Sequence, residues 1–125
     1  MKHIIETSNA PAPIGPYSQA VRYGDMLFLS GQIALDPSTG ELKLVDIDTE
    51  THQVMKNIQA VLSEAGADFS NVIKTSIFLS DMSLFPAVNE VYASYFQEDF
   101  PARETVAVKE LPKSVNVEIS MIVGM

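Results

Sequence analysis

The C-terminal run from Val115 to Val123 alternates without a break. Val115, Val117, Ile119, Met121 and Val123 fall on one side, and Asn116, Glu118, Ser120 and Ile122 on the other. Side chains of a strand point to opposite faces with a period of two, so the run reads as a strand with one wholly apolar face. No other segment constrains the fold as strongly. The apolar face must be covered by a second layer, and the same strand then turns Glu118 away from that layer. If Glu118 faces solvent, it is an ordinary polar strand residue. If its side lines a pocket, Glu118, with Asn116 and Ser120 two residues away on either side, is a candidate general acid or base.

Two segments can supply the covering layer. From Thr49 to Ala65, Val54, Ile58, Val61, Leu62 and Ala65 fall on one helical face, Gly66 supplies a stop, and Asp48 or Thr49 can cap the start. A second helix is expected from about Ser83 to Gln97, with Phe85, Val88, Tyr92, Tyr95 and Phe96 as its apolar stripe and Pro86 in its first turn. Between them, Val72 to Ser80 reads as a strand with Ile73, Thr75, Ile77 and Leu79 on one side. Further strands are expected at Gln19–Tyr23, Met26–Ser30 and Thr105–Val108. Gly24-Asp25 is a type II′ hairpin signal, and Asp36–Gly40 is a turn cluster. Ser8 to Pro16, with three prolines and a glycine, reads as an ordered irregular loop. The expected fold class is a single α+β domain over residues 1–125, with a mixed sheet of about six strands and two helices packed on one face. If the uncovered sheet face is apolar it needs a partner, so oligomerisation is expected.

Composition removes several classes of chemistry. Against 16 Asp+Glu the chain has 8 Lys+Arg, for a formal net charge of −8. Nucleic-acid binding rests on Lys and Arg, and no basic run exists, so nucleic acid is not an expected partner. There are no cysteines, which excludes disulfides, thiolate nucleophiles and cysteine-based metal sites. His3 and His52 are far apart, and His52 reads as a solvated helix residue, so no metal site is expected. Walker, dinucleotide-binding, HExxH and Gly-x-Ser-x-Gly signatures are all absent. The N-terminus meets Glu6 after two apolar residues, unlike a signal peptide, and no apolar run approaches a membrane span. A cytoplasmic protein is the default expectation.

What remains is carboxylates, hydroxyls, amides and one conspicuous cation. Only Arg22 and Arg103 are arginines. Arg103 follows Pro101-Ala102 where a strand begins. A guanidinium offers a rigid fork that matches a carboxylate or phosphate bidentately, so Arg103 is a candidate anion receptor. The competing account is a surface arginine paired with a nearby glutamate. Tyr17 follows Gly15-Pro16 and is placed by a rigid loop. Ser30-Gly31-Gln32 ends a strand, where glycine permits close approach of a ligand. Asn89 sits on the second helix, either on an exposed face or as a local cap.

As a series, these strings resemble the RidA/YjgF family. The resemblance runs through Ile14-Gly15-Pro16-Tyr17-Ser18-Gln19-Ala20-Val21, Ser30-Gly31-Gln32, Pro37–Leu42, Asn57–Leu62, Ala65-Gly66-Ala67 and Phe78–Met82. It continues through Asn89–Tyr92, Pro101-Ala102-Arg103, Leu111-Pro112-Lys113 and Val117-Glu118-Ile119, so that it covers roughly residues 9 to 123 in order. It implies a chorismate-mutase-like α+β fold and a homotrimer, a trimeric barrel with helices outside and clefts between subunits. The implied activity is hydrolysis of reactive 2-imino acids and their enamine tautomers to 2-oxo acids and ammonia, without cofactor or metal.

Residue by residue, the resemblance implies that Arg103 grips the substrate carboxylate and that Glu118 orients water and moves protons. Tyr17, Ser30, Gly31 and Asn89 match positions that line or shape the cleft. Many family members carry cysteine two residues after the arginine, where this chain has Thr105. A thiol role is therefore in doubt, while the Thr105 backbone can still meet substrate and water. Three alternatives stay open at this level: a non-catalytic sensor of small carboxylates, a deaminase specialised for another imine, and a single-strand RNA endonuclease or translation inhibitor. The acidic balance argues against the last.

Overall fold

The computed structural model describes all residues, 1–125. Six strands form one sheet: β1 (Lys2–Ile5), β2 (Ala20–Tyr23), β3 (Met26–Gln32), β4 (Val72–Leu79), β5 (Ala102–Ala107) and β6 (Val117–Gly124). Their order is β1-β2-β3-β6-β4-β5. Only β4 and β5 pair in parallel, and α2 (Phe85–Ala93) is the crossover between them. The sheet is thus mixed, and the connection through α2 is long enough for the crossover that a parallel neighbour needs. α1 (Ile47–Glu64) and α2 cover one face.

The alternation of the last strand is realised. Val117, Ile119, Met121 and Val123 are at most 2% exposed, whereas Glu118, Ser120 and Ile122 are partly exposed on the other face. Val54, Ile58, Val61 and Leu62 of α1 pack on that apolar side with no exposed surface. Gly24 takes φ 61 in the two-residue β2–β3 hairpin, and Asp25 does not share its positive φ, as a type II′ turn requires.

Several local expectations are corrected. The N-terminal residues form a sixth strand, β1, paired with β2. The cap of α1 is Asp46, whose side chain accepts from the Thr49 N–H at 2.7 Å. Helix formation therefore starts earlier than Thr49, with Asp48 in the first turn where acids suit the helix dipole. α2 ends at Ala93, and Tyr95 and Phe96 pack on the core from the turn beyond it. β5 begins at Ala102, which places Arg103 inside the strand. Ile73 is not inward. Val72 pairs with Val123 and Lys74 with Ile122, so Ile73 is an extra residue in β4, a bulge that leaves it 49% exposed while Val72 turns inward. His52 is half-buried, with Nδ1 2.8 Å from the Tyr95 hydroxyl, rather than free in solvent.

The face away from the helices is bare and substantially apolar. Val106, Phe28, Ile4 and Tyr23 are 43–61% exposed along it, with Phe78 and Ile122 between them. These side chains form two apolar groups on one face, separated by the polar row Glu104, Ser76 and Ser120, and exposed apolar surface of this extent is a candidate interaction surface.

Candidate functional site

Glu118 is positioned by β6 against a distortion in β3. Leu29 pairs with Met121 and Gln32 with Ile119, so β3 takes three steps where β6 takes two. The extra residue lies within Ser30-Gly31 and forms a bulge, a device that re-aims strand residues. Gly31 is thereby brought onto the Glu118 side chain. A Cβ built at Gly31 would stand 2.0 Å from Glu118 Oε2, so only glycine leaves the carboxylate where it is. The close approach that glycine permits is thus to the protein's own carboxylate. Glu118 has no hydrogen-bond partner and no ion pair, and burial pushes its carboxyl above the usual carboxylate range.

The other wall of this cleft, which has a volume of about 560 Å³, comes from the proline-rich loop. Gln19 orders that loop from within. It is 2% exposed, accepts from the Thr7 N–H at 2.7 Å, and donates to the carbonyls of Thr7, Ala10 and Pro11. Tyr17 lines the cleft, and its hydroxyl accepts from the Ile14 N–H at 3.4 Å. Ser30 donates its hydroxyl to the Ser18 carbonyl, which ties β3 to the same loop. Lys113 enters from the turn before β6.

Arg103 stands elsewhere. Its Nη1 donates to Asn89 Oδ1 at 2.7 Å, and its guanidinium carbon lies 5.4 Å from the Phe85 ring centre and 5.2 Å from that of Tyr92. Asn89 is therefore neither a bare surface residue nor a cap. Three side chains of α2 fix the guanidinium, and all are neutral. The pairing with a glutamate does not occur, because Glu104 binds Lys74 and Ser76 on the other side of the sheet. The charge of Arg103 is thus uncompensated and preorganised for an anion. Tyr92 donates to Thr75 Oγ1 at 2.9 Å, and its hydroxyl is pushed up by burial.

Thr105 follows on the same strand. Its hydroxyl is buried without a partner. The Val108 N–H donates to the Leu79 carbonyl. Backbone groups alternate along a strand, so those of residues 103, 105 and 107 point to the open edge of the sheet. The backbone of Thr105, rather than its side chain, is the accessible group.

Within one chain Arg103 and Glu118 are not brought together. Arg103 lies in register with Thr75 and Met121, which are buried under the helices. Glu118 lies in register with Phe78 and Val106 on the bare face. The two groups occupy opposite faces of one sheet, with Tyr17, Ser30 and Gly31 beside Glu118, and Asn89 beside Arg103. Phe85 and Tyr92 form the platform under Arg103, a role hidden in the sequence because an aromatic stripe on a helix looks like core. Their i, i+4 and i, i+7 spacing around Asn89 was the available signal. No cluster of three or more His, Cys, Asp or Glu side chains is arranged to hold a metal ion.

A family model described as Endoribonuclease L-PSP matches residues 7–125. The chain belongs to the RidA/YjgF family. It is 52% identical over 122 residues to a RutC family protein of Pyrococcus horikoshii, covering 98% of this chain and 97% of that one. It is 46% identical to the 2-iminobutanoate/2-iminopropanoate deaminase of Mus musculus, covering 98% and 90% of the two chains. Among solved structures, a protein of the conserved Rid family from Yersinia pestis matches with a TM-score of 0.98 at 48% identity, over 100% of both chains. The single domain, with its six-stranded mixed sheet and two helices, matches Rid protein structures. No helix is long and apolar enough to cross a membrane.

Proposed function

We propose that this RidA/YjgF protein hydrolyses small reactive 2-imino acids and their enamine tautomers, such as 2-iminobutanoate and 2-iminopropanoate, to 2-oxo acids and ammonia. The observation that carries the reading is that Arg103 and Glu118 are both prepared and both unneutralised. In a chain with twice as many acids as bases, an arginine held only by an amide and two rings is arranged to receive a carboxylate from outside. The naming of relatives such as the mouse protein as imine deaminases supports the same chemistry.

Arg103 takes the substrate carboxylate in a bidentate pair, and the backbone edge at Thr105 meets the same substrate. Glu118 acts through water. The imine nitrogen is protonated, and water adds to C2 and loses a proton to give the carbinolamine. A proton then passes from its hydroxyl to its nitrogen as the C–N bond breaks, the C=O bond forms and ammonia leaves. Burial shifts the Glu118 carboxyl upward, in the direction that favours giving the first proton and taking one back. Docking the substrate carboxylate neutralises Arg103 and excludes water, which raises Glu118 further. Tyr17, Ser30, Gly31 and Asn89 shape the two walls.

Since the two groups face opposite ways, the proposal includes assembly. A homotrimer closes the bare sheet faces on one another and sets the Arg103 wall of one copy against the Glu118 wall of the next. Such head-to-tail contacts close into a ring when the rotation is one third of a turn.

The test generates 2-iminobutanoate in place from threonine with a dehydratase and traps it with semicarbazide. Added protein should lower semicarbazone yield in proportion to its concentration. No effect, with 2-oxobutanoate still binding at Arg103, would make the protein a carboxylate sensor. Cleavage of single-stranded RNA instead would assign the endonuclease reading.

A further inference from the structure

Glu50 is 0% exposed, yet neither ion pair of the chain, Lys43–Asp36 or Lys74–Glu104, includes it. A carboxylate without a cation is costly to bury unless hydrogen bonds replace its water. Three do so here. Oε2 accepts from the backbone N–H groups of Asn116 at 2.7 Å and Val117 at 3.2 Å, and Oε1 accepts from Asn116 Nδ2 at 2.9 Å. Every bond is accepted and none donated. The place of Glu50 in the first turn of α1 adds the favourable end of the helix dipole.

The segment so held is the entry to β6. Lys113 and Ser114 both have φ 56, two consecutive non-glycine residues in the left-handed region. Backbone of this kind persists only where its surroundings over-determine it. The Ser114 N–H donates to Leu111 O and the Val115 N–H to Pro112 O, with Leu111 and Val115 buried. The next two N–H groups go to Glu50. Asn116 is further tied to the end of β4, since Ser80 donates its N–H to Asn116 O and its hydroxyl to Asn116 Oδ1. Lys113, before this clamp, and Glu118, just after it, both line the same cleft.

We infer that Glu50 is a positioning residue for that cleft: through Asn116 and the Val117 N–H it holds the strained turn and the start of β6, and so fixes where Lys113 and Glu118 stand. The kinetic consequence rests on the imine-hydrolase reading, and the geometric one does not. A residue that merely anchored the fold would loosen the sheet as a whole and leave the rate per folded molecule unchanged.

Glu50→Gln separates these. One of its arms becomes an amide N–H that meets a donor, either Asn116 Nδ2 or the backbone N–H pair. The double variant Glu50→Gln/Asn116→Asp restores the match, with the amide N–H facing an Asp oxygen and Gln Oε1 facing the two backbone N–H groups. Two measurements are made on purified, assembled protein: steady-state imine hydrolysis, and hydrogen exchange resolved to residues 112–118. For Glu50→Gln, kcat is expected to fall about tenfold to a hundredfold, the size of a small misplacement of a reacting group. KM should stay within about twofold, because the carboxylate clamp is on the other face. Exchange should quicken at Asn116 and Val117 without spreading to β3 or β4, and the double variant should recover both measures. Wild-type kcat and exchange in Glu50→Gln overturn the inference. So does loosening of the whole sheet with an unchanged rate per folded molecule, or a double variant that recovers neither measure. If the wild-type protein turns over no imine, the hydrolase reading fails and the exchange arm alone decides the role of Glu50. If Glu50→Gln does not fold, the double variant must fold and show wild-type exchange, and its failure overturns the inference.

Discussion

Gly31 and Glu118 are in such close contact that a methyl group on the first would collide with the carboxylate of the second, 2.0 Å from its Oε2. The bulge in β3 creates the contact, and the absent side chain permits it. Gly31→Ala is therefore expected to push the Glu118 carboxylate off its resting position while leaving the buried face of the sheet intact. Imine hydrolysis should drop by roughly two orders of magnitude, as for a misplaced reacting group. Unfolding temperature and oligomeric state should barely change. Full activity in Gly31→Ala would mean that the resting position of Glu118 does not matter to the reaction.

Burial raises the carboxyl of Glu118, and that shift has a sign in stability. A group whose pKa is raised on folding binds its proton more tightly in the native state. Stability is then greatest below the unfolded value, about 4.3 for glutamate, and declines as pH rises through the folded value. Glu118→Gln removes this penalty. It should raise Tm slightly at pH 7 to 8, by roughly a few degrees at most since the group is half-exposed and screened. The gain should vanish below about pH 4. The same variant should lose imine hydrolysis. A Tm gain that is equal at pH 4 and pH 8 would contradict the assignment of the shift to Glu118.

For Arg103, charge alone is not enough. Arg103→Lys keeps the cation but loses the fork that two carboxylate oxygens can meet, and loses the flat surface that packs between Phe85 and Tyr92. KM for the imine and the dissociation constant for 2-oxobutanoate should both rise by about tenfold or more, the equivalent of one charge-assisted hydrogen bond. Arg103→Ala should abolish nearly all activity without disturbing assembly. Asn89→Ala should give an intermediate loss, since the guanidinium keeps its rings but not its amide anchor. Wild-type KM in Arg103→Lys would remove the bidentate pair.

Opposite faces for Arg103 and Glu118 lead to a test by mixing subunits. Arg103→Ala and Glu118→Gln are each expected to be inactive alone. When equal amounts are unfolded and reassembled together, about one site in four should pair an intact Arg103 with an intact Glu118 from the neighbouring copy in a cyclic assembly. Recovery of about a quarter of wild-type activity is expected. No recovery, with mixed oligomers demonstrated by mass, would place both groups of each site on one chain.

How far the sequence led depends on the range of the interaction involved. The inward faces of α1 and β6 were legible because periods of 3.6 and 2 are local properties of the backbone, and Val54, Ile58, Val61, Leu62, Val117, Ile119, Met121 and Val123 all lie where those periods put them. The ends of elements were less legible, since Asp46, Asp48 and Thr49 all have capping chemistry and only the actual path of the chain selects Asp46. Ile73 failed for a different reason. A single inserted residue reverses the faces of a strand, and whether β4 takes a bulge is decided by its pairing with β6.

The last strand, expected over Val115–Val123 and observed as Val117–Gly124, shows the same division within one element. By itself the sequence determined that this strand has an apolar side to bury and that Glu118 must face away from it, because alternation is a consequence of backbone geometry. It also supplied Arg103 and Glu118, the residue types proposed for anion capture and proton transfer. Only the tertiary structure decided what each of them meets: Gly31 against Glu118, the α2 rings and Asn89 around Arg103, and Glu50 beneath Asn116 and Val117. Those meetings join residues far apart in the chain, and they depend on register, bulges and the order of strands. Tertiary structure alone put Arg103 and Glu118 on opposite faces, since sequence separation carries no information on which side of a shared sheet a residue from another strand will stand.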